Sequence, residues 1–416
     1  MMFETLLYWA LMPVVAYLFF YSLFWFLTVL FGSFYRFKET DKDPKTGISD
    51  IIFLLPAYKP NKIFIEVLKA IKTATGDRKN IKLFILFQEA DKEIVRQADA
   101  LGYYYQEKSF KGFSGNSYHH ALQYVVSEIR RLEQAGMWSP SHLILIDKDN
   151  ILSPNFIDEI EKGFLMRYDV VQGRRLPFDA KTKEQMFDTI SESLNDLMFR
   201  AAKSFFGLTL EISGSGVGFK FDVFEEAVQY LDKKAPGMDK NLMVGLLSRG
   251  VRTIFNPNAT LYEEKTDDPQ ALHAQRTRWL GVQYYIALTY GKKLLVTGLK
   301  KMQWSPIDYA ITLMRPPRSV QVIVVPLLAL IESAFYLLSG QFFYAFPVFG
   351  ISALLLVLGV AIFLKATGTT PLFFRLATAL PQFALSNLTA AIKGVQKKRQ
   401  GTFIHTEHKK GSAIDR

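Results

Sequence analysis

Two runs of this sequence are too apolar and too long for an ordinary water-soluble domain. From Thr5 to Tyr35 no charged residue occurs, and from Ser319 to Leu364 Glu332 is the only one. A membrane span needs roughly 20 apolar residues, because a helix rising about 1.5 Å per residue must cross a hydrocarbon core about 30 Å thick. The first run therefore predicts a span. A cleaved secretory signal has a basic start and a shorter apolar core, whereas here Glu4 precedes the run, so residues 1–36 are expected to form an uncleaved anchor. The second run is too long for one span and is broken at Ser339-Gly340-Gln341. It predicts a transmembrane hairpin over 319–365.

Basic residues set the orientation. Arg36, Lys38, Arg315, Arg318 and Lys365 stand at the ends of these runs that must share one side, and the positive-inside rule then puts the N-terminus outside and residues 36–318 in the cytoplasm. The expectation is a multi-pass protein of the cell (inner) membrane with a cytoplasmic domain. The absence of cysteine suits a reducing compartment. A net charge of +11 raises nucleic acid as a partner, yet Lys365–Arg416 holds nine Lys and Arg against two acids beside the membrane. Membrane lipids with anionic headgroups are the expected partner, and no nucleic acid.

Between the spans, short β-rich runs alternate with amphipathic ones. Strands are expected at 51–58, 82–87, 102–108, 142–147, 170–175, 216–221 and 251–257, and helices at 61–74, 116–134, 155–165, 183–206 and 239–249. Such alternation predicts an α/β domain over 45–290, with a mixed, mostly parallel, Rossmann-like sheet flanked by helices. Sheets of this kind bind ligands beyond the carboxyl ends of their strands. Residues 291–318 mix Lys, Trp and Tyr with apolar residues, as interfacial helices do. Residues 366–416 read as an amphipathic or membrane-associated helix and a basic tail, with 371–395 either lying on the membrane or forming a tilted fourth span.

Candidate chemistry sits where strands end. The run "HLILI" leads into Asp147-Lys-Asp149, and aspartates at i and i+2 of a strand share a face. Hard oxygen ligands of this kind suit Mg²⁺ or Mn²⁺ bound jointly with a diphosphate, although aspartates in a loop also cap a following helix. Asp239 opens an amphipathic helix, where an acid complements the helix dipole or serves as a general base. Ser213-Gly-Ser-Gly216 is a small-residue loop that permits close approach or a plain turn. In "ALHAQRTRWL", Gln275, Arg278 and Trp279 fall at i, i+3 and i+4, which groups an amide, a guanidinium and an indole on one helix face. His119-His120 are adjacent and so diverge. No Gly-rich phosphate loop and no zinc-type spacing occurs.

In this order, "PAY", D-x-D, a Gly-rich loop, an acid-led helix and Q-x-x-R-W, bracketed by apolar spans, resemble a membrane-bound family 2 glycosyltransferase of the cellulose, hyaluronan and chitin synthase type. The resemblance covers nearly the whole chain. It implies a GT-A fold and an inverting, metal-dependent transfer from a nucleotide-sugar donor, with UDP-sugars the expected class, to a growing polysaccharide. Transfer of one sugar to a lipid-linked acceptor, or a scaffold without turnover, are the alternatives. By this resemblance Pro56, Ala57 and Tyr58 line the nucleotide pocket, and Asp147 and Asp149 hold the metal, Asp147 also reaching the donor. Asp239 is the base, Gly214, Ser215 and Gly216 border the acceptor channel, and Gln275, Arg278 and Trp279 hold the diphosphate and acceptor sugar. Glycan export through so few spans calls for a partner subunit or a homo-oligomer.

The chain also departs from that pattern. Met238-Asp239 stands where Glu-Asp is usual. The aspartate expected after the second strand is replaced by "FQEAD", in which Gln88, Glu89 and Asp91 compete to read the nucleobase, with Glu89 favoured for the donor site. Ser114-Gly115, with Lys111 nearby, replaces a Lys-Gly pair. The tail residues Thr402, His405 and Thr406 only loosely match the family's ending and read as membrane-proximal.

Overall fold

The computed structural model describes residues 2–38, 40, 50–114, 116–342, 344 and 346–396. Helix α1 (Met2–Phe34) leads into an alternating region: β1 (Asp50–Tyr58), α2 (Ile63–Thr75), β2 (Ile81–Gln88), α3 (Lys92–Ala100), β3 (Tyr104–Glu107), α4 (Ser117–Gln134) and β4 (Pro140–Leu145). There follow β5 (Ile151–Leu152), α5 (Phe156–Leu165), β6 (Val170–Pro177), α6 (Lys183–Asn195), a π-helical turn at Asp196–Ala201, α7 (Ala202–Phe205), β7 (Val217–Lys220), α8 (Phe221–Gln229), α9 (Met238–Arg249) and β8 (Thr253–Glu263). Then come only helices: α10 (Pro269–Lys301), α11 (Trp304–Leu313), α12 (Arg318–Ser339), α13 (Val348–Thr367), α14 (Thr370–Leu376) and α15 (Leu380–Val395).

One sheet carries the eight strands of the described residues in the order β3-β2-β1-β4-β7-β6-β8-β5. Strands β3, β2, β1 and β4 run parallel, as do β6 and β8, while β7 and β5 are antiparallel to their neighbours. The sheet is mixed and mostly parallel, as expected. Strand β1 shows why its sequence is a solid apolar run: Ile52 and Leu54 pack on one face with α4, α8 and α9, while Ile51, Phe53, Leu55 and Ala57 pack on the other with α2, α3 and α5. A strand covered on both faces has no polar side to show. The same logic shapes α2, which buries Ile63, Phe64, Val67, Leu68 and Ile71 on one stripe.

Among the described residues, three helices are long and apolar enough to cross a membrane: residues Tyr8–Phe34 within α1, together with α12 and α13. Gly340, at φ 70°, closes α12 where the hairpin break was expected. Glu332, whose surroundings the sequence left open, is buried and accepts the Phe349 and Gly350 amides at 3.1 and 2.9 Å, so it caps the start of α13. Segment 371–395 divides into α14 and α15, neither of them among the candidate spans. Helix α15 lies on α10, where a Cβ on Gly394 would come within 3.0 Å of the Gly281 amide. Such close passage is what paired glycines permit.

One boundary differs from the sequence reading. No break occurs near residue 291, because α10 carries no proline beyond its first turn and continues to Lys301. Helix α11 buries Tyr309, Ala310 and Leu313 in the domain core beside α9 and α10, while Trp304 and Met302 remain exposed. The run 183–206 is one helical rod interrupted by the π-helical turn. There the Leu197 carbonyl lies so near α1 that a Cβ on Gly32 would sit 2.2 Å from its oxygen. Helix α1 therefore docks on the π-helical turn through a glycine-sized notch. Residues 41–49 and the tail residues Thr402, His405 and Thr406 fall outside the described residues, as does Gly115.

Candidate active site

Strands β1, β2 and β4 end at one rim, and the chain leaves each in a constrained way. Lys59 and Glu89 have φ of 44° and 53°, a region that non-glycine residues occupy at a cost and that collects at functional sites. Asp147 and Asp149 lie beyond the end of β4, in a turn, so strand alternation is not what aligns them. Lys148 between them donates to the Tyr58 and Lys59 carbonyls at 2.6 and 3.0 Å. Its capture by β1 leaves the two aspartates lining a single large cavity of about 1180 Å³.

Beneath this turn sits Ser215, completely buried. Its hydroxyl accepts from the Asp147 amide at 3.0 Å and donates to Asn150 Oδ1, which accepts from that same amide at 3.1 Å. Gly214 and Gly216 on either side take φ of 81° and 62°, and a Cβ on Gly216 would strike Leu261 at 2.4 Å. Gln172 of β6 completes the support, its Oε1 accepting from the Ser213 amide at 2.8 Å and its Nε2 donating to the Ser215 carbonyl at 3.1 Å. The Ser-Gly-Ser-Gly loop is thus a foundation for the aspartate turn, with Ser213 and Gly214 reaching the cavity wall and Ser215 and Gly216 behind it.

Pro56, Tyr58, Glu89, Asp147, Asp149, Gly214, Asp239, Gln275, Arg278 and Trp279 share the cavity lining. Ala57, Ser215 and Gly216 do not. Ala57 follows β1's alternation to the opposite face, where it is fully buried in the core. Gln88 and Glu89 also line the cavity, whereas Asp91 is spent as the N-cap of α3, accepting from the Glu93 amide at 2.8 Å. Lys111, 3.0 Å from Glu89, and Lys59, 3.8 Å from it, hold that carboxyl below its usual range. His119 and His120 serve structure, their rings bonded to the Asp232 and Ser114 carbonyls.

Asp239 stands in the first turn of α9, after Gly237 at φ 80°. A Cβ on Gly214 would lie 3.5 Å from the Asp239 Cβ, so the loop and the helix start are in contact. Arg278 faces Asp239 electrostatically, and burial lowers the pKa of its guanidinium. The Gln275 Oε1 is buried without a partner among the described residues, and Trp279 carries the Arg276 guanidinium 4.8 Å above its ring. Burial, and next the Asp149 carboxylate, push the Asp147 carboxyl up to about 7. Nearby, Tyr118 points a buried hydroxyl with no partner among the described residues into the same wall.

Sequence reasoning missed the opposite wall. A chain of ion pairs runs from Arg175 at the end of β6 to Glu192 (2.9 Å) and on to Arg200, with Glu263, Lys265, Asp188 and Arg276 continuing it to α10. Burial would raise Glu192, yet Arg175 and Arg200 hold it well below the usual carboxylate range. The Arg174-Arg175 pair closing a strand was the one visible signal.

Among the described residues no group of three or more His, Asp or Glu gathers as a metal site. Two carboxylates at one cavity edge nevertheless form a donor set of the kind a hard divalent cation takes when substrate oxygens and water complete its shell. The residues present fit Mg²⁺ or Mn²⁺ on those terms.

A sheet of this topology with carboxylates beyond its parallel strand ends defines a GT-A fold. The mannosyltransferase PcManGT from Pyrobaculum calidifontis, solved in complex with GDP-Man and Mn²⁺, is similar to this chain with a TM-score of 0.59 at 15% identity, over 93% of this chain and 98% of that one. Glucosyl-3-phosphoglycerate synthase from Mycobacterium tuberculosis, solved with Mn²⁺, UDP and phosphoglyceric acid, reaches a TM-score of 0.39 at 13% identity, over 59% of this chain and 82% of that one, a likeness too weak to argue from. No curated protein matches the sequence. The family model for Glycosyl transferase family group 2 matches residues 142–366, more than half of the chain, and the chain belongs to that family.

Proposed function

We propose that this protein is an inverting glycosyltransferase that moves a sugar from a nucleotide-sugar to a hydroxyl of an acceptor held at the membrane. The observation that carries this reading is the single cavity shared by Asp147, Asp149, Asp239, Arg278 and Trp279. Asp239 takes the proton of the acceptor hydroxyl as its oxygen bonds to the anomeric carbon, while the bond from that carbon to the diphosphate oxygen breaks and the nucleoside diphosphate leaves. Asp147 and Asp149 would hold Mg²⁺ or Mn²⁺, which when bound offsets charge on the leaving diphosphate. Arg278 and Gln275 would bind that diphosphate, and Trp279 offers its indole face to the acceptor sugar. Pro56, Tyr58 and Glu89 border the donor's nucleoside. Inversion follows because one base suffices and no carboxylate need attack the sugar.

A growing polysaccharide and a lipid-linked acceptor both meet this chemistry. Trp25, Val322, Val360 and Phe363 from the candidate spans also line the cavity, which favours the lipid-linked acceptor. The spans support a membrane location, with the catalytic domain on the cytoplasmic side by the charge argument above.

The test is nucleoside-diphosphate release from a panel of UDP- and GDP-sugars, with and without Mn²⁺, by protein in native membranes, followed by sizing of the product. Asp239→Asn should lower the rate on the order of 100-fold or more while the protein stays folded and inserted. A mild loss in that variant would remove Asp239 from its role.

A further inference from the structure

The cavity does not end at Trp279. It continues past α6 to the first turn of α12, where polar groups are gathered that glycosyl transfer at Asp239 leaves unexplained. Arg318 opens α12 and forms no ion pair with any described residue. Its guanidinium donates to Ser191 Oγ at 3.4 Å and to the Asn195 side chain. Arg276 donates to the same Ser191 hydroxyl at 3.0 Å, so two guanidiniums converge on one oxygen. Arg315 brings a third, since Arg315 and Arg318 lie 4.3 and 5.7 Å from the centre of the Phe199 ring.

Like charges held this closely cost free energy unless an anion sits among them. Arg276 has Asp188 as its partner and Arg315 has Glu211, at 3.4 Å, whereas Arg318 makes no direct ion pair with a described residue and meets Glu192 and Glu211 only at longer range. Ser319, the next residue, is 5% exposed, lines the cavity and has a hydroxyl without any partner among the described residues. Arg276 Nε is likewise buried and unbonded. The site stands at the N-terminus of a 22-residue helix, whose dipole favours negative charge. Guanidinium forks, a helix start and a hydroxyl together make a phosphate site.

The same cavity also has an apolar lining. Trp25, Val322, Val360 and Phe363 come from three separate membrane helices. A phosphate alone would leave that apolar slot unfilled, and an uncharged lipid would leave Arg318 unpaired.

We propose that the acceptor is a lipid whose phosphate headgroup seats on Arg318, Ser319 and Arg276 while its hydrocarbon tail lies between α1, α12 and α13. This rests on the glycosyl-transfer reading for its place in the reaction: the lipid carries a free hydroxyl beside its phosphate, and the anchored phosphate would present that hydroxyl to Asp239, which takes its proton as the oxygen bonds to the anomeric carbon and the nucleoside diphosphate leaves. Binding itself can be measured without turnover.

The test uses the full chain in nanodiscs and three probes: dodecyl phosphate, dodecanol and inorganic phosphate, read by quenching of tryptophan fluorescence, to which Trp25 and Trp279 contribute. Dodecyl phosphate should bind at least about tenfold more tightly than either of the others, because it alone satisfies both halves of the site. Arg318→Gln and Ser319→Ala should each weaken it by about tenfold or more, with Mn²⁺-dependent UDP and GDP binding unchanged. Arg318→Lys, which keeps the charge and the fold, should fall between. Inorganic phosphate binding as tightly as dodecyl phosphate would make this a free-anion site and overturn the proposal. So would dodecyl phosphate binding undiminished in Arg318→Gln, or nucleotide affinity falling in step with it, which would assign Arg318 to the donor. If no sugar donor is turned over yet dodecyl phosphate binds as described, the transfer reading fails and the lipid site stands.

Discussion

Replacing Ser215 by alanine tests whether the foundation loop aims the aspartate turn. The substitution removes one hydroxyl and keeps the Cβ, the backbone and the two flanking glycines. Two hydrogen bonds go with it, one from the Asp147 amide at 3.0 Å and one to Asn150 Oδ1. The site is fully buried, so water does not replace them. At about 1 kcal/mol per net bond, the loss is about 2 kcal/mol. The Asp147 amide keeps its 3.1 Å bond to Asn150, so the turn loosens without unravelling. For a chain of 416 residues that corresponds to a fall in Tm of about 2 °C, provided that unfolding is cooperative. A displacement of about 1 Å at a catalytic group lowers rates by up to roughly 100-fold. The assay is nucleoside-diphosphate release against Mn²⁺ concentration in nanodiscs, with a thermal melt on the same sample. S215A should lose about 10- to 100-fold in kcat/KM at low Mn²⁺ and recover part of it at high Mn²⁺. A folded variant with the wild-type Mn²⁺ activation curve would refute the reasoning, because the turn would then be aimed without Ser215.

Two further outcomes follow from other parts of the fold. Glu332→Ala removes the carboxylate that receives the Phe349 and Gly350 amides inside the hairpin, which should destabilise α12–α13 by about 2–4 kcal/mol, seen as faster proteolysis at the 340–347 connection, whereas Glu332→Gln keeps an acceptor and most of the protection. Burial lowers His119 and His142 from the usual value to about 4; because the folded pKa lies below the unfolded one, their contribution is complete above about pH 6.5 and lost as the pH falls toward 4. For His119, which is fully buried, this is on the order of 2–3 kcal/mol, and His119→Asn should flatten the fall in Tm across that window. An unchanged slope would show that other groups carry the acid sensitivity.

Much of this protein could be read along the chain because it depends on neighbours in sequence. The spans, the Gly340 break, the two-sided strand β1 and the shared face of Gln275, Arg278 and Trp279 all follow from apolar run length, from period 2 or from period 3.6. The competition among Gln88, Glu89 and Asp91 was undecidable there, since an aspartate two residues before a helical amide is equally a cap, and the structure makes Asp91 that cap. Ala57 shows the same limit: a motif names three consecutive residues, while the pleat turns the middle one away.

What only the tertiary structure decided is what lies far apart in sequence. Ser215 beneath Asp147, Arg318 beside Arg276, the Arg175 ion-pair chain and the notch at Gly32 each join segments that no local period connects. A run of residues fixes its own element because its hydrogen bonds and apolar stripe are satisfied within a few turns. Which buried charge meets which, and how far a cavity extends toward the membrane, depends on the packing of many elements at once. For this chain the amino-acid order set the elements and named the candidate groups, and the close packing of the domain on its apolar helices set what those groups can reach.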